Sequence, residues 1–157
     1  MSTSPSVDIR RDDLSSEATR ELVHLHLESM HAASPPGTVF ALDHTALQSP
    51  DVTLWSAWDG GELLGMGALK ELDAESGELK SMRTHPAHLR KGVARALLEH
   101  TIAEARRRGY RRLSLETGSG PAFEPALALY RNRGFVNGGA FSDYVASPFN
   151  QFLHLHL

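Results

Sequence analysis

The stretch from residue 79 to residue 98 constrains the fold more than any other. β-forming residues up to Thr84 pass through a basic turn containing Gly92 into the longest helical periodicity of the chain. The first amides of a helix have no intrahelical acceptor, and the helix dipole places positive potential on them, so a strand–turn–helix of this kind offers a seat for a phosphate. Gly92 and Ala94 keep bulk away from a backbone that must be approached closely, while Arg90, Lys91 and Arg95 surround it with positive charge. A plain strand-to-helix turn followed by a basic helix is the simpler alternative.

The remaining periodicities assemble around that unit. A strand is expected over 7–10, a helix over 14–30 with Leu14, Ala18, Leu22, Leu25 and Met30 on one stripe, and a short helix over 43–48. Strands over 52–58 and 62–72 flank Asp59-Gly60-Gly61, a hairpin signal. Glu75-Ser76-Gly77 marks the next turn, before a strand over 78–84. The helical periodicity then runs over 89–108, with Val93, Leu97, Ile102 and Ala105 facing the core and Gly109 closing it. A strand over 112–117, a helix over 125–133 stopped by Gly134, and strands at 135–136 and 152–157 complete the order. Such an order implies an α/β (α+β) fold: a mixed, mostly antiparallel central sheet of about 6–7 strands flanked by helices. No repeat, low-complexity tract or linker divides the 157 residues, so residues 1–157 are read as one domain.

No apolar run reaches the roughly 18 residues of a membrane span, and residues 1–7 carry no secretory apolar region, which points to a cytoplasmic location without a membrane partner. The chain has no cysteine, which removes disulfides, thiolate metal sites and a cysteine nucleophile together. Charge is distributed unevenly. Ten Lys and Arg residues between Lys80 and Arg112 face only Glu99 and Glu104, in a chain whose net charge is −3. That segment is expected to meet a polyanion, either a phosphorylated small molecule or nucleic acid. A nucleic-acid or nucleotide-binding module would interleave aromatics with the cations, but the segment holds only Tyr110. No G-x-x-x-x-G-K-[ST] and no H-E-x-x-H is present, and Gly118-Ser119-Gly120 is an incomplete dinucleotide fingerprint because Phe123 takes the place of its third glycine. His24/His26 and His154/His156 are isolated pairs without a third ligand and are read as surface residues, with no metal expected.

Arg-Lys-Gly-Val-Ala-Arg-Ala-Leu-Leu at 90–98 resembles the acetyl-CoA loop of the GNAT superfamily of N-acetyltransferases, with its Q/R-x-x-G-x-G/A pattern after the fourth strand. Ala-Leu-Tyr-Arg-Asn-Arg-Gly-Phe at 128–135 resembles that family's LYxxxGF helix end, at the usual separation. The resemblance extends from Val52 to the C-terminus, and residues before it match only in coarse order. One departure is clear: the leading Gln/Arg falls on Leu89, so a side-chain contribution there passes to Arg90 or His88.

The resemblance implies acetyl-CoA as cosubstrate, held by Met82, Arg83 and Thr84 along the pantetheine arm and by Leu89, Arg90, Lys91, Gly92, Val93, Ala94 and Arg95 around the pyrophosphate. The amide near Met82 would polarise the thioester carbonyl. Tyr130 matches the tyrosine that protonates the departing thiolate, its alternative being a core aromatic beside Leu127. For the base, Glu78 begins the fourth strand where some relatives place a glutamate, and simple alternation would put it on one face with Met82 and Thr84. Its alternative is a surface hairpin carboxylate. Glu116, a carboxylate in an otherwise apolar strand, is the rival base or an acceptor-binding group. Phe123 and Tyr144 are expected to wall the acceptor. The expected function is transfer of acetyl to a small-molecule amine by direct attack in a ternary complex, with no nucleic-acid partner and with homodimerisation left open. A catalytically silent domain that binds acyl-CoA is the remaining alternative.

Overall fold

A computed structural model describes residues 7–157; of the N-terminal stretch read for a leader, residues 1–6 lie outside the described part. Seven strands form one sheet: β1 (Asp8–Arg11), β2 (Val52–Asp59), β3 (Glu62–Asp73), β4 (Ser76–Thr84), β5 (Arg112–Thr117), β6 (Val136–Gly138) and β7 (Gln151–His156). Their spatial order is β1-β2-β3-β4-β5-β7-β6, and every neighbouring pair is antiparallel except β4 and β5. The fold class follows the expectation from sequence.

Two helical layers cover the sheet. Helix α1 (Glu17–Ala33) and the single turn α2 (His44–Leu47) pack on one face, where Leu22, Val23 and Leu47 meet Val52, Leu54, Met66 and Ala68. Helices α3 (Val93–Arg107) and α4 (Glu124–Arg133) pack on the other, where Val93, Leu97, Leu98, Ile102 and Leu127 meet Leu69, Leu79, Leu113 and Leu115. Each fully buried Leu or Ile here contributes about 1.5–3 kcal/mol over its exposed state. The α3 stripe expected from periodicity is buried as a whole, together with Thr101.

Three local expectations are corrected. The periodic stretch 89–108 is helical only from Val93, because Arg90 and Gly92 take left-handed φ of +62° and +82°, which a right-handed helix cannot contain. Helix α1 begins at Glu17, since Ser16 caps it and Leu14 has a φ of +63°. Its buried stripe is Thr19, Leu22, Val23 and His26, two of them polar, so the apolar stripe read from sequence is displaced around the helix. Finally, Ser76 and Gly77 already belong to β4; Gly77 lies where a Cβ would strike the Tyr110 ring at 2.8 Å.

Candidate active site

A break in the sheet creates the site. Pairing between β4 and β5 covers only Ser76↔Arg112, Gly77↔Leu113 and Glu78↔Ser114, after which the parallel strands part. The remainder of β4 keeps its ladder with β3 on one side and faces a cleft of about 690 Å³ on the other. Strands β4 and β5, the N-terminus of α3, helix α4, helix α1 and the loop Thr38–Ala41 all line it.

At the end bounded by α3, a 3-10 turn over Pro86–His88 follows β4 and leads through Leu89, Arg90 and Lys91 to Gly92. Gly92 precedes Val93 with no side chain capping the helix, so the first amides of α3 are left available to a ligand. Leu89, Arg90, Gly92, Val93, Ala94 and Arg95 line the cleft there. Lys91 does not, because its ammonium lies 3.1 Å from His88 Nδ1. His88 also approaches Glu62 at 3.2 Å, so both of its ring nitrogens are engaged away from the cleft.

The middle of the cleft is shaped by a bulge. β4 carries one extra residue opposite Gly67, and Ser81 takes a φ of +54°, its buried hydroxyl without a hydrogen-bond partner among the described residues. The inserted residue reverses the alternation. Glu78, Lys80 and Arg83 pair with Lys70, Ala68 and Met66 and share the α1 face of the sheet. Met82 packs against Gly67 and Leu97, and Thr84 pairs with Gly65 beneath Val93, so both face α3. The expectation that Glu78 shares a face with Met82 and Thr84 is therefore overturned by a one-residue slip of phase.

Tyr130 projects from α4 into the cleft, its ring buried against Phe135 at a centroid separation of 5.8 Å. Among the described residues its hydroxyl makes no hydrogen bond. Burial pushes the phenol up to about 12, while the nearby Arg83 guanidinium opposes that rise. Arg83 Nε donates to His26 Nδ1 at 2.9 Å. Burial and the adjacent guanidinium hold His26 down at about 3, so the ring is neutral at physiological pH.

At the far end, Glu78 is buried and hydrogen-bonded. Its Oε2 accepts from Tyr144 OH at 2.6 Å and from Lys80 Nζ at 3.2 Å, and Lys80 also donates to Tyr144 OH at 2.8 Å. Tyr144 sits edge-on to Phe40 and Phe141, and burial with the Glu78 carboxylate pushes its phenol up. Across the gap on β5, Glu116 accepts a bond from Asn150 Nδ2 at 2.7 Å and, among the described residues, belongs to no ion pair. Burial raises it to about 7; Asn150 and Lys80 work against that rise, and Glu78 adds to it. Phe123 lines the cleft edge-on to Phe149.

Of the candidate cosubstrate, catalytic and acceptor residues read from sequence, all line the cleft except Lys91 and Tyr144, and Tyr144 is joined to it through its hydrogen bonds with Glu78 and Lys80. It adds His26, Lys80, Phe40 and Phe149, and Asn150 supports it through Glu116. The two histidine pairs are not uniformly superficial: His26 is buried, and His154 bonds Ser114 and the Gly139 carbonyl at 2.8 Å each.

His26 gives a stability signature. Its ordinary value is 6.5, so between about pH 6.5 and pH 3 the unfolded chain takes up a proton that the folded one refuses, and stability falls as pH drops through that window. His26→Gln should remove this component from urea-denaturation stabilities measured across the window. A wild-type and variant difference that does not change with pH would show that the ring is not held neutral.

Comparison with known proteins adds a lineage to this geometry. Residues 19–135 match the family described as Acetyltransferase (GNAT) family. The uncharacterized N-acetyltransferase YsnE of Bacillus subtilis (strain 168) is 52% identical over 145 residues, 92% of this chain and 96% of that one. The uncharacterized N-acetyltransferase YedL of Escherichia coli (strain K12) is 46% identical over 149 residues, 95% and 94% of the two chains. Among solved structures, a GNAT family acetyltransferase from Elizabethkingia anophelis with acetyl-CoA bound superposes with a TM-score of 0.68 at 16% identity, covering 96% of this chain and 98% of that one.

Proposed function

The chain belongs to the acetyltransferase (GNAT) family and is an acyltransferase, and on that premise we propose that residues 1–157 form one domain that transfers acetyl from acetyl-CoA to the primary amine of a small molecule, by direct attack in a ternary complex. One observation carries the reading: β4 and β5 part after Glu78, and the free strand edge this leaves runs toward the uncapped N-terminus of α3.

These features suit the cosubstrate. An unpaired strand edge from Met82 to Thr84 matches the amide-bearing pantetheine arm, and the bare amides of Val93, Ala94 and Arg95, with the side chains of Arg90 and Arg95, match a diphosphate. When bound, acetyl-CoA supplies an acyl group activated on a thiol leaving group. The Met82 amide polarises the acyl carbonyl. Glu116 takes the proton that an ammonium acceptor must lose before it attacks, a task suited to a carboxylate raised to about 7 and, among the described residues, in no ion pair. Tyr130 gives a proton to the departing sulfur. Glu78, tied to Lys80 and Tyr144, is a positioning residue, and Phe123 and Tyr144 wall the acceptor space.

The basic segment does not support a nucleic-acid face. Folding divides its cations between the two ends of α3, about 22 Å apart by helical rise, and turns Lys80 and Arg83 inward. Arg108 turns to Glu104 and the Thr53 hydroxyl, and Arg111 to Glu75.

The test is a thermal shift with acetyl-CoA followed by an amine screen that detects released CoA thiol, a readout simplified by the absence of protein cysteines. At 100 times its dissociation constant the ligand should stabilise the fold by about 2.7 kcal/mol. No shift would sink the reading, and a shift without turnover on any amine would reduce it to a binding function.

A further inference from the structure

Among the described residues, one cation on the acceptor side of the cleft has a carboxylate partner and one does not. Lys80 is matched by Glu78 at 3.2 Å, and Glu116 lies near that pair with Asn150 on its oxygen. Arg83 has no such partner: among the described residues no carboxylate lies within ion-pairing distance of its guanidinium. The side chain is half-buried, where an uncompensated cation is costly. Its one hydrogen-bond partner among the described residues is His26, a neutral acceptor that fixes Nε at 2.9 Å without cancelling the charge. A guanidinium has five N–H donors, so four remain for a ligand, in the forked arrangement that suits a carboxylate.

The position of the guanidinium argues against the diphosphate as that ligand. Arg83 lies on the α1 face of β4, with the strand between it and the first turn of α3, whereas its neighbours Met82 and Thr84 face α3. It is also close enough to Tyr130 for each group to shift the other, which puts the free donors beside the reacting end of the cleft. We infer that Arg83 is a specificity-determining residue that grips a carboxylate of the acceptor, so that the preferred substrate is an amino acid or another amine bearing a carboxylate close to its reacting nitrogen. The inference rests on the acyl-transfer reading for the identity of the reaction, but not for the anion site itself.

The experiment uses matched acceptors: amino acids and the corresponding amines in which hydrogen replaces the carboxylate. Wild-type protein should favour the carboxylate member by about 10²-fold or more in kcat/KM, because a site built around a polar group rejects the analogue lacking it. Arg83→Gln should collapse that ratio to within a few-fold of one, and Arg83→Lys should restore only part of it, since an ammonium lacks the planar fork. Equal handling of both members by wild type would overturn the proposal. So would an unchanged ratio in Arg83→Gln, the result expected if the guanidinium served the leaving thiolate and both members slowed alike. Calorimetry of N-acetylated amino acids against N-acetylated amines on CoA-loaded protein separates this claim from the catalytic one. Arg83-dependent binding of the carboxylate member without any turnover would uphold the anion site and defeat the acyl-transfer reading, and Arg83-independent binding would defeat the anion site.

Discussion

Replacing Tyr130 by Phe should lower turnover by roughly 10²-fold or more, the usual contribution of a positioned general acid, while acetyl-CoA binds with near wild-type affinity. The substitution is clean because the hydroxyl makes no hydrogen bond among the described residues and the ring keeps its packing against Phe135, so removing one oxygen strands no partner. A phenol pushed up to about 12 stays protonated across the working range, which is the state a proton donor must occupy. Steady-state kinetics with a calorimetric binding measurement decide the matter: unchanged turnover removes Tyr130 from the mechanism, and a matching loss of affinity recasts it as a binding residue.

Glu116→Gln should have an effect of similar size and a different signature. With the carboxyl raised to about 7, the wild-type kcat/KM rises with pH as Glu116 ionises, and in the variant this limb should vanish along with about 10²-fold or more of the rate. The same burial makes ionised Glu116 unfavourable to the fold. Its folded value lies above its ordinary 4.5, so stability is lost as pH rises through the interval toward 7, and the glutamine variant should be the more stable one above it. Glu78→Gln serves as the contrast. It leaves the Lys80 ammonium without its carboxylate in a buried setting, a type of change that costs about 3–5 kcal/mol, so its main result should be loss of stability. If Glu116→Gln retains both rate and limb, proton removal belongs to Glu78 or to water.

Much of this was legible in the sequence because local patterns and global fold agree. Gly92 and the basic residues around it marked the α3 start, the Asp59-Gly60-Gly61 turn marked the hairpin, and the Tyr130 helix ends at Gly134 with a left-handed φ of +112°, as its composition suggests. The misreadings have definite physical sources. The bulge at Ser81 leaves no compositional trace, so counting by twos assigned Glu78 to the wrong companions. The α1 stripe was obscured because Thr19 and His26 are polar yet buried, each satisfied by a distant group: Asp12 for the threonine at 2.9 Å, Arg83 for the histidine. Lys80 looked like one more cation of a basic run, and only tertiary pairing with Glu78 and Tyr144 separates it from Arg106 or Arg107. The Thr38–Ala41 loop followed a Pro-Pro-Gly stop and carried no periodicity. Its one available signal was Phe40, a large aromatic on a loop that remains 39% exposed.

The cleft is a single void: the wall proposed for the diphosphate and the wall proposed for the acceptor line one volume of about 690 Å³. A bisubstrate inhibitor, in which the acceptor is covalently joined to the sulfur of coenzyme A, would therefore occupy both halves at once. Such a tethered compound loses translational and rotational freedom once where two separate molecules lose it twice, so it should bind about 10²–10⁴-fold more tightly than either half alone.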